Sequence, residues 1–187
     1  RDRHGAIIGA TVAVQDITTS YQARIYETCK TAVLQALTDG TDAAAARRAA
    51  VRAVGTCLQW PYVRLWLLDP VSDRLRSDAT YTAAGEKPLP LPDAFARGEG
   101  LAGQCWQRGE LIWVPDIHAA DSPVLPQVQA GTAFRAAGAV PVRAGDRIIG
   151  AMTYFSQDPQ EPEPGLAVLL AGIADNIGAH LQQHRAD

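Results

Sequence analysis

The sequence predicts an α+β fold: a central antiparallel β-sheet of five to six strands, with N- and C-terminal helices packed on one face and loops plus a short helix on the other. Three observations lead there. Two long amphipathic stretches precede a series of strand-like segments. Those segments are joined by turns and irregular connections rather than by helical crossovers, which makes them antiparallel. A third long apolar-periodic stretch closes the chain. With 187 residues and 47% hydrophobic content, the chain can bury one sizeable core.

The elements follow in order. Gly5 to Val14 sets Ile8, Val12 and Val14 on one face at period two and reads as a strand, closing on Asp16-Ile17-Thr18. From Ser20 to Leu37 there is no Pro or Gly, and Tyr21, Ile25, Cys29, Val33 and Leu37 recur at helical steps. Thr38-Asp39-Gly40 stops that helix. Thr41 or Asp42 caps a second, Ala43 to Leu58, with Ala46, Ala50 and Val54 as its apolar face. Gln59-Trp60-Pro61 breaks it and leads into a strand, Tyr62 to Leu68. The turn residues Asp69 to Asp73 then introduce an antiparallel partner, Arg74 to Ala83.

Ala84 to Pro92 holds Gly85 and three prolines and reads as an extended connection, with Asp93-Ala94-Phe95 as a short turn. Gly98 and Gly100 permit the unusual backbone angles of a tight helix start. The short helix Leu101 to Gln107 ends at Arg108-Gly109. Leu111 to Val114 is a short strand. After Pro115 a long loop to Ala133 holds only a short helix, Pro126 to Ala130. Phe134 to Arg143 and Arg147 to Phe155 form a hairpin about Ala144-Gly145-Asp146. Asp158 to Pro164 connects to a final helix, Leu166 to Arg185, with Leu166, Leu169, Leu170, Ile173, Ile177 and Leu181 as its seam.

Composition narrows the function. A net charge of −3 with no Lys/Arg cluster leaves no basic field for nucleic acid. No apolar run approaches the roughly 20 residues of a membrane span, so no membrane contact is expected. Cys29, Cys57 and Cys105 are odd in number, widely spaced and without a Cys-x-x-Cys, which fits a reducing, cytoplasmic setting and no thiolate metal site.

Several segments together resemble the GAF domain: Val63-Arg64-Leu65-Trp66-Leu67-Leu68-Asp69, Gly98-x-Gly100-Leu101-Ala102-Gly103 leading to Trp106, and Val114-Pro115-Asp116-Ile117. Phe134-Arg135-x-x-Gly138-x-Val140-Pro141-Val142 and Ile149-Gly150-Ala151-Met152 then precede the closing helix. His4-Gly5-Ala6-Ile7-Ile8-Gly9-Ala10 with Asp16-Ile17-Thr18 resembles the last strand and exit motif of a PAS domain. The implied organisation is a PAS remnant at 1–19, a linker helix at 20–39 and a GAF domain at 40–187. The resemblance implies a cytoplasmic, non-enzymatic sensor module. Such a module would hold an unidentified small molecule, form a homodimer through its terminal helices and act on an output such as a histidine kinase or cyclase.

Carried over to this sequence, the ligand would contact Trp66, Trp106, Trp113, Asp116, Phe134 and Tyr154. No Asn-Lys…Phe…Asp-Glu signature accompanies them, which argues against cyclic nucleotides. The loop with His118 lacks the Cys that would attach a bilin. The loop around His118 is expected to be polar, with Asp116 capping a turn rather than holding a metal, and His180 with His184 to form a solvated helix end. Two alternatives stand beside the sensor: a ligand-free dimerisation spacer, and a thiol-dependent methionine sulfoxide reductase-like GAF enzyme using Cys105. For the enzyme, Cys29 and Cys57 lie too far off on the leading helices to be partners.

Overall fold

A computed structural model describes residues 2–39, 42–158 and 163–185, with side chains described from Ser20 to His184 within them. Helix α1 spans Asp2–Asp39 and α2 spans Ala43–Leu58. Asp42 caps α2, accepting the Ala44 N–H at 3.3 Å, while Gly40 and Thr41 lie outside the described residues. The strands are β1 (Tyr62–Asp69), β2 (Arg74–Thr82), β3 (Ala94–Phe95), β4 (Ile112–Val114), β5 (Ala136–Ala144) and β6 (Arg147–Ser156). Two short helices, α3 (Gly100–Arg108) and α4 (Pro126–Ala130), and a closing helix α5 (Pro164–Arg185) complete the fold.

All six strands form one antiparallel sheet in the order β3-β2-β1-β6-β5-β4. Strand alternation sends successive side chains to opposite faces, and here both faces are buried. Val63 and Leu65 of β1, Val140 and Val142 of β5, and Met152 and Tyr154 of β6 meet α1, α2 and α5. That half of the core includes Val33, Val54, Leu170, Ile173 and Ile177. Tyr62, Trp66, Ala137, Ala139, Ala151 and Phe155 face the other way, where α3, α4 and the connecting segments supply Leu89, Leu101, Cys105, Ile117, Val128 and Phe134. The two-sided burial explains why β1, β5 and β6 read as nearly continuous apolar runs.

Three expectations are corrected. Gly5–Val14 is helical, the first part of α1, rather than a strand. The six-stranded sheet takes no strand from this segment; a strand needs a partner for its backbone groups, whereas a helix satisfies them internally. The resemblance to a PAS exit strand therefore has no strand in the fold to rest on. Ala94–Phe95, expected as a turn, is the edge strand β3, because its backbone pairs with Leu75 and Arg76. Finally, the 21-residue stretch Pro164–His184 is long and apolar enough, at mean hydropathy 1.3, to cross a membrane, contrary to the reading that no run approaches that length. Half of its window is buried against the sheet, which accounts for its apolar character as that of a core helix.

Candidate functional site

The sheet face opposite the long helices is roofed by α3, by the 83–93 connection and by the 115–135 loop. The start of α3 needs Gly98 at φ +84° and Gly100 at φ +63°, backbone positions at which a side chain would be strained. Glu99 is the N-cap but does not cap with its side chain. Its carboxylate turns back to accept the Ala96 N–H at 3.1 Å. So anchored, α3 buries Leu101, Ala102, Cys105 and Trp106 against the sheet.

Between roof and sheet lies a cavity of about 10 Å³, lined by Trp66, Phe95, Leu101, Val128, Thr153 and Phe155 among others. That is room for about one water, so a larger ligand enters only if the roof lifts. The Trp66 indole N–H donates to Thr153 Oγ1 at 3.1 Å across the β1–β6 pair, which satisfies a group that burial would otherwise orphan. The Phe95 ring meets Trp66 edge-on at 4.9 Å. Beyond the roof, an open cleft of about 570 Å³ runs past Lys87, Leu89, Gly131 and Phe134.

Of the six residues the sequence singles out, the structure gathers three on this face: Trp66, Trp106 and Phe134. Arg97 lies over the Trp106 ring at 5.4 Å. Tyr154 and Trp113 belong to the opposite, helix-bearing half of the core, because each lies one residue out of phase with its cavity-facing neighbours. Asp116 sits on the loop beyond β4, where its Oδ1 accepts the His118 N–H at 3.0 Å and its Oδ2 lies 3.7 Å from Arg135. It caps its turn, as expected. His180 is buried rather than solvated.

Two residues that the sequence reading did not single out stand out here. Tyr62 and Arg64 precede Trp66 at period two on β1, so all three share the cavity face. The Arg64 guanidinium lies over both rings, 5.4 Å from Tyr62 and 5.1 Å from Trp66. Among the described residues Arg64 Nε and Tyr62 Oη are buried without a hydrogen-bond partner, each at a cost of about 1–3 kcal/mol. Burial pushes the Tyr62 phenol up to about 12, against the opposing pull of Arg64, so at neutral pH it carries its proton. Period-two spacing places Arg64 on this face in the sequence. Its missing partner is visible only in three dimensions.

Cys105 is fully buried, 3.6 Å from the Glu110 carbonyl, and burial pushes its thiol up to about 12. Cys29 and Cys57 stand with the helix-side half of the core, across the sheet.

The family model for the GAF domain matches residues 40–182, and the chain belongs to that family. No curated protein matches the chain. Among solved structures, the free methionine-R-sulfoxide reductase of Neisseria meningitidis in complex with its substrate superposes at a TM-score of 0.73 and 22% identity, covering 88% of this chain and 93% of that one. The GAF domain of a phosphoenolpyruvate-protein phosphotransferase from Coxiella burnetii gives 0.74 and 16%, covering 88% and 96%. A free methionine-R-sulfoxide reductase of Staphylococcus aureus in reduced form gives 0.63 and 17%, covering 83% and 94%. These likenesses are of fold. They overturn the expectation that the segment is not an enzyme, because that expectation rested on the fold's resemblance to sensor modules and the same fold carries reductases.

Proposed function

We propose that this GAF domain is a regulatory module that takes up a small molecule between the sheet and its roof and relays its presence to the terminal helices. The observation that supports this reading is that two of the five buried side-chain polar atoms without a partner among the described residues, Arg64 Nε and Tyr62 Oη, stand together on the cavity face, while the other three, on Tyr154, Asn176 and His180, lie on the helix side. A folded protein seldom leaves such groups unmet, and a ligand would meet them. The route to the helices is short. Thr153 faces the cavity while its neighbours Met152 and Tyr154 pack against the helix side, so displacing β6 or β1 alters the surface on which α1 and α5 rest. A ligand shifts such an equilibrium only by binding one arrangement better than the other.

The same reading makes the module a homodimer through its terminal helices, with Tyr21 (62% exposed) and Leu34 (41%) of α1 and Val168 (75%) of α5 as apolar surface for a second copy. The test is a metabolite panel scored by melting temperature, with light scattering on the same sample. A ligand that raises the melting temperature and protects α1 or α5 from hydrogen exchange supports the sensor. A panel without effect, on a protein that is dimeric, supports the ligand-free spacer instead. A monomer at micromolar concentration removes the homodimer.

A further inference from the structure

We infer that Arg64 and Tyr62 form the anion-recognising end of the ligand site and that the ligand is a monocarboxylate with an apolar body. This rests on the sensor reading above and specifies its ligand class.

The geometry of these two neighbouring side chains points to it. The Arg64 guanidinium lies over two rings of its own strand, Tyr62 and Trp66, which favours keeping it on the cavity face. The buried, unpartnered atom is Nε, and Nε–H with a neighbouring Nη–H makes the side-on fork that a carboxylate fits with two parallel hydrogen bonds. The Tyr62 hydroxyl is a third donor on the same face, equally unpartnered and only 1% exposed with its residue.

Among the described residues no carboxylate fills this role, and Arg64 makes no ion pair. Asp78 is held by Arg47 on the helix side, and Asp69 by Arg76. The fork itself is buried and meets a ligand once the roof lifts, but it lies one strand from solvent. Across the β1–β2 pair, Arg64 is in register with Thr80 and Trp66 with Ser77, and both Thr80 and Ser77 are exposed. The β2 side of this face is therefore open to solvent, while the β6 side closes on Trp66, Thr153 and Phe155. A ligand entering over β2 would set its charged end against Arg64 and direct its apolar end toward the aromatic cavity. A single cation with neutral donors matches one negative charge. A phosphate dianion would call for further cations, and among the described residues the guanidinium is the one charged group in this cluster.

The test uses 3-phenylpropionate and hexanoate as probes, against 3-phenylpropionamide and inorganic phosphate, with melting temperature and Trp fluorescence as readouts. The acids should raise the melting temperature and change Trp66 emission, an effect absent in Trp66→Phe, while amide and phosphate leave both unchanged. Arg64→Gln should weaken acid binding on the order of ten-fold or more, since bonds to a charged group are lost. Arg64→Lys should recover part of it, and Tyr62→Phe should cost about a few-fold.

Equal binding of acid and amide overturns the inference, as does undiminished binding by a folded Arg64→Gln protein. If that variant fails to fold, the acid–amide comparison on the unmodified protein decides. Acids that do not bind, while neutral or cationic metabolites do, remove the carboxylate and leave the sensor standing. A panel in which nothing binds removes both.

Discussion

The Tyr154 ring lies flat on the Trp60 indole, centroids 3.7 Å apart and planes within 6° of parallel, and this stack locks the end of β6 to the segment that joins α2 to β1. Gly138 of β5 completes the arrangement: a Cβ built there would fall 2.4 Å from Tyr154 ring atoms. The Gly of the Phe134-Arg135-x-x-Gly138 motif is thus explained by the space Tyr154 needs. The tyrosine belongs to the packing of the helix face.

Substitutions at this stack should separate packing from hydrogen bonding. Trp60→Ala is expected to cost about 3–5 kcal/mol, the range for emptying a large buried ring. Gly138→Ala should cost about 1–3 kcal/mol through overpacking against Tyr154. Tyr154→Phe should be neutral or stabilising by up to about 1 kcal/mol, because the hydroxyl it removes is buried and unpartnered. Urea denaturation of the three variants checks the order. A strongly destabilised Tyr154→Phe would mean that the hydroxyl has a partner after all.

Arg47 of α2 grips Asp78 of β2 through two bonds, Nε to Oδ2 at 2.8 Å and Nη2 to Oδ1 at 3.2 Å, with the side chains only 13% and 22% exposed. Removing one partner strands the other in a partly buried place. Either Arg47→Ala or Asp78→Ala should therefore cost about 1–3 kcal/mol, and the double variant less than the sum of the two. A double-mutant cycle measures the coupling. Strict additivity would show the pair to be incidental.

Acid should weaken the fold through His180. Burial first, then the neighbouring His184 and Arg47, hold its pKa below the ordinary 6.5. The His180 and His184 rings lie 4.2 Å apart. The unfolded chain therefore takes up this proton at a higher pH than the folded one does. The contribution is complete above about pH 6.5 and is lost as pH falls below it. Denaturant midpoints compared between about pH 7.5 and pH 5.5 should drop in the native sequence and drop less in His180→Gln. Identical slopes would assign the acid sensitivity to other groups.

Thiol reactivity should rank by burial. Cys57 is half-buried, while Cys29 and Cys105 are buried and both have thiols pushed up to about 12 by burial. Since the thiolate is the reactive form, iodoacetamide at mildly alkaline pH should label Cys57 first. Cys29 and Cys105 should follow only as the fold opens, as read by mass spectrometry. Early labelling of Cys105 would show that α3 lifts readily and that the thiol nearest the cavity is available for chemistry of the kind the reductase fold supports.

From α2 onward, element types and their order were legible in the sequence except at β3, which read as a turn, because helical and period-two spacings and turn residues are local signals. Ala43–Leu58, Pro126–Ala130 and the hairpin about Gly145 and Asp146 could be placed from them. It also carried the GAF family, through short motifs in a fixed order. Which face each residue meets follows from the packing in three dimensions. Tyr154 and Phe155 are neighbours with the same apolar character, and nothing local tells which one faces the helices.

The same holds at the other points where sequence and structure part. Gly5–Val14 alternates like a strand, but the sheet offers it no partner, and the helix takes it. Ala94–Phe95 becomes a strand only because β2 has a free edge beside it. Arg64 shows its period in the sequence, yet its significance lies in a hydrogen bond that is missing, and a missing partner exists only once every possible partner has been placed in space.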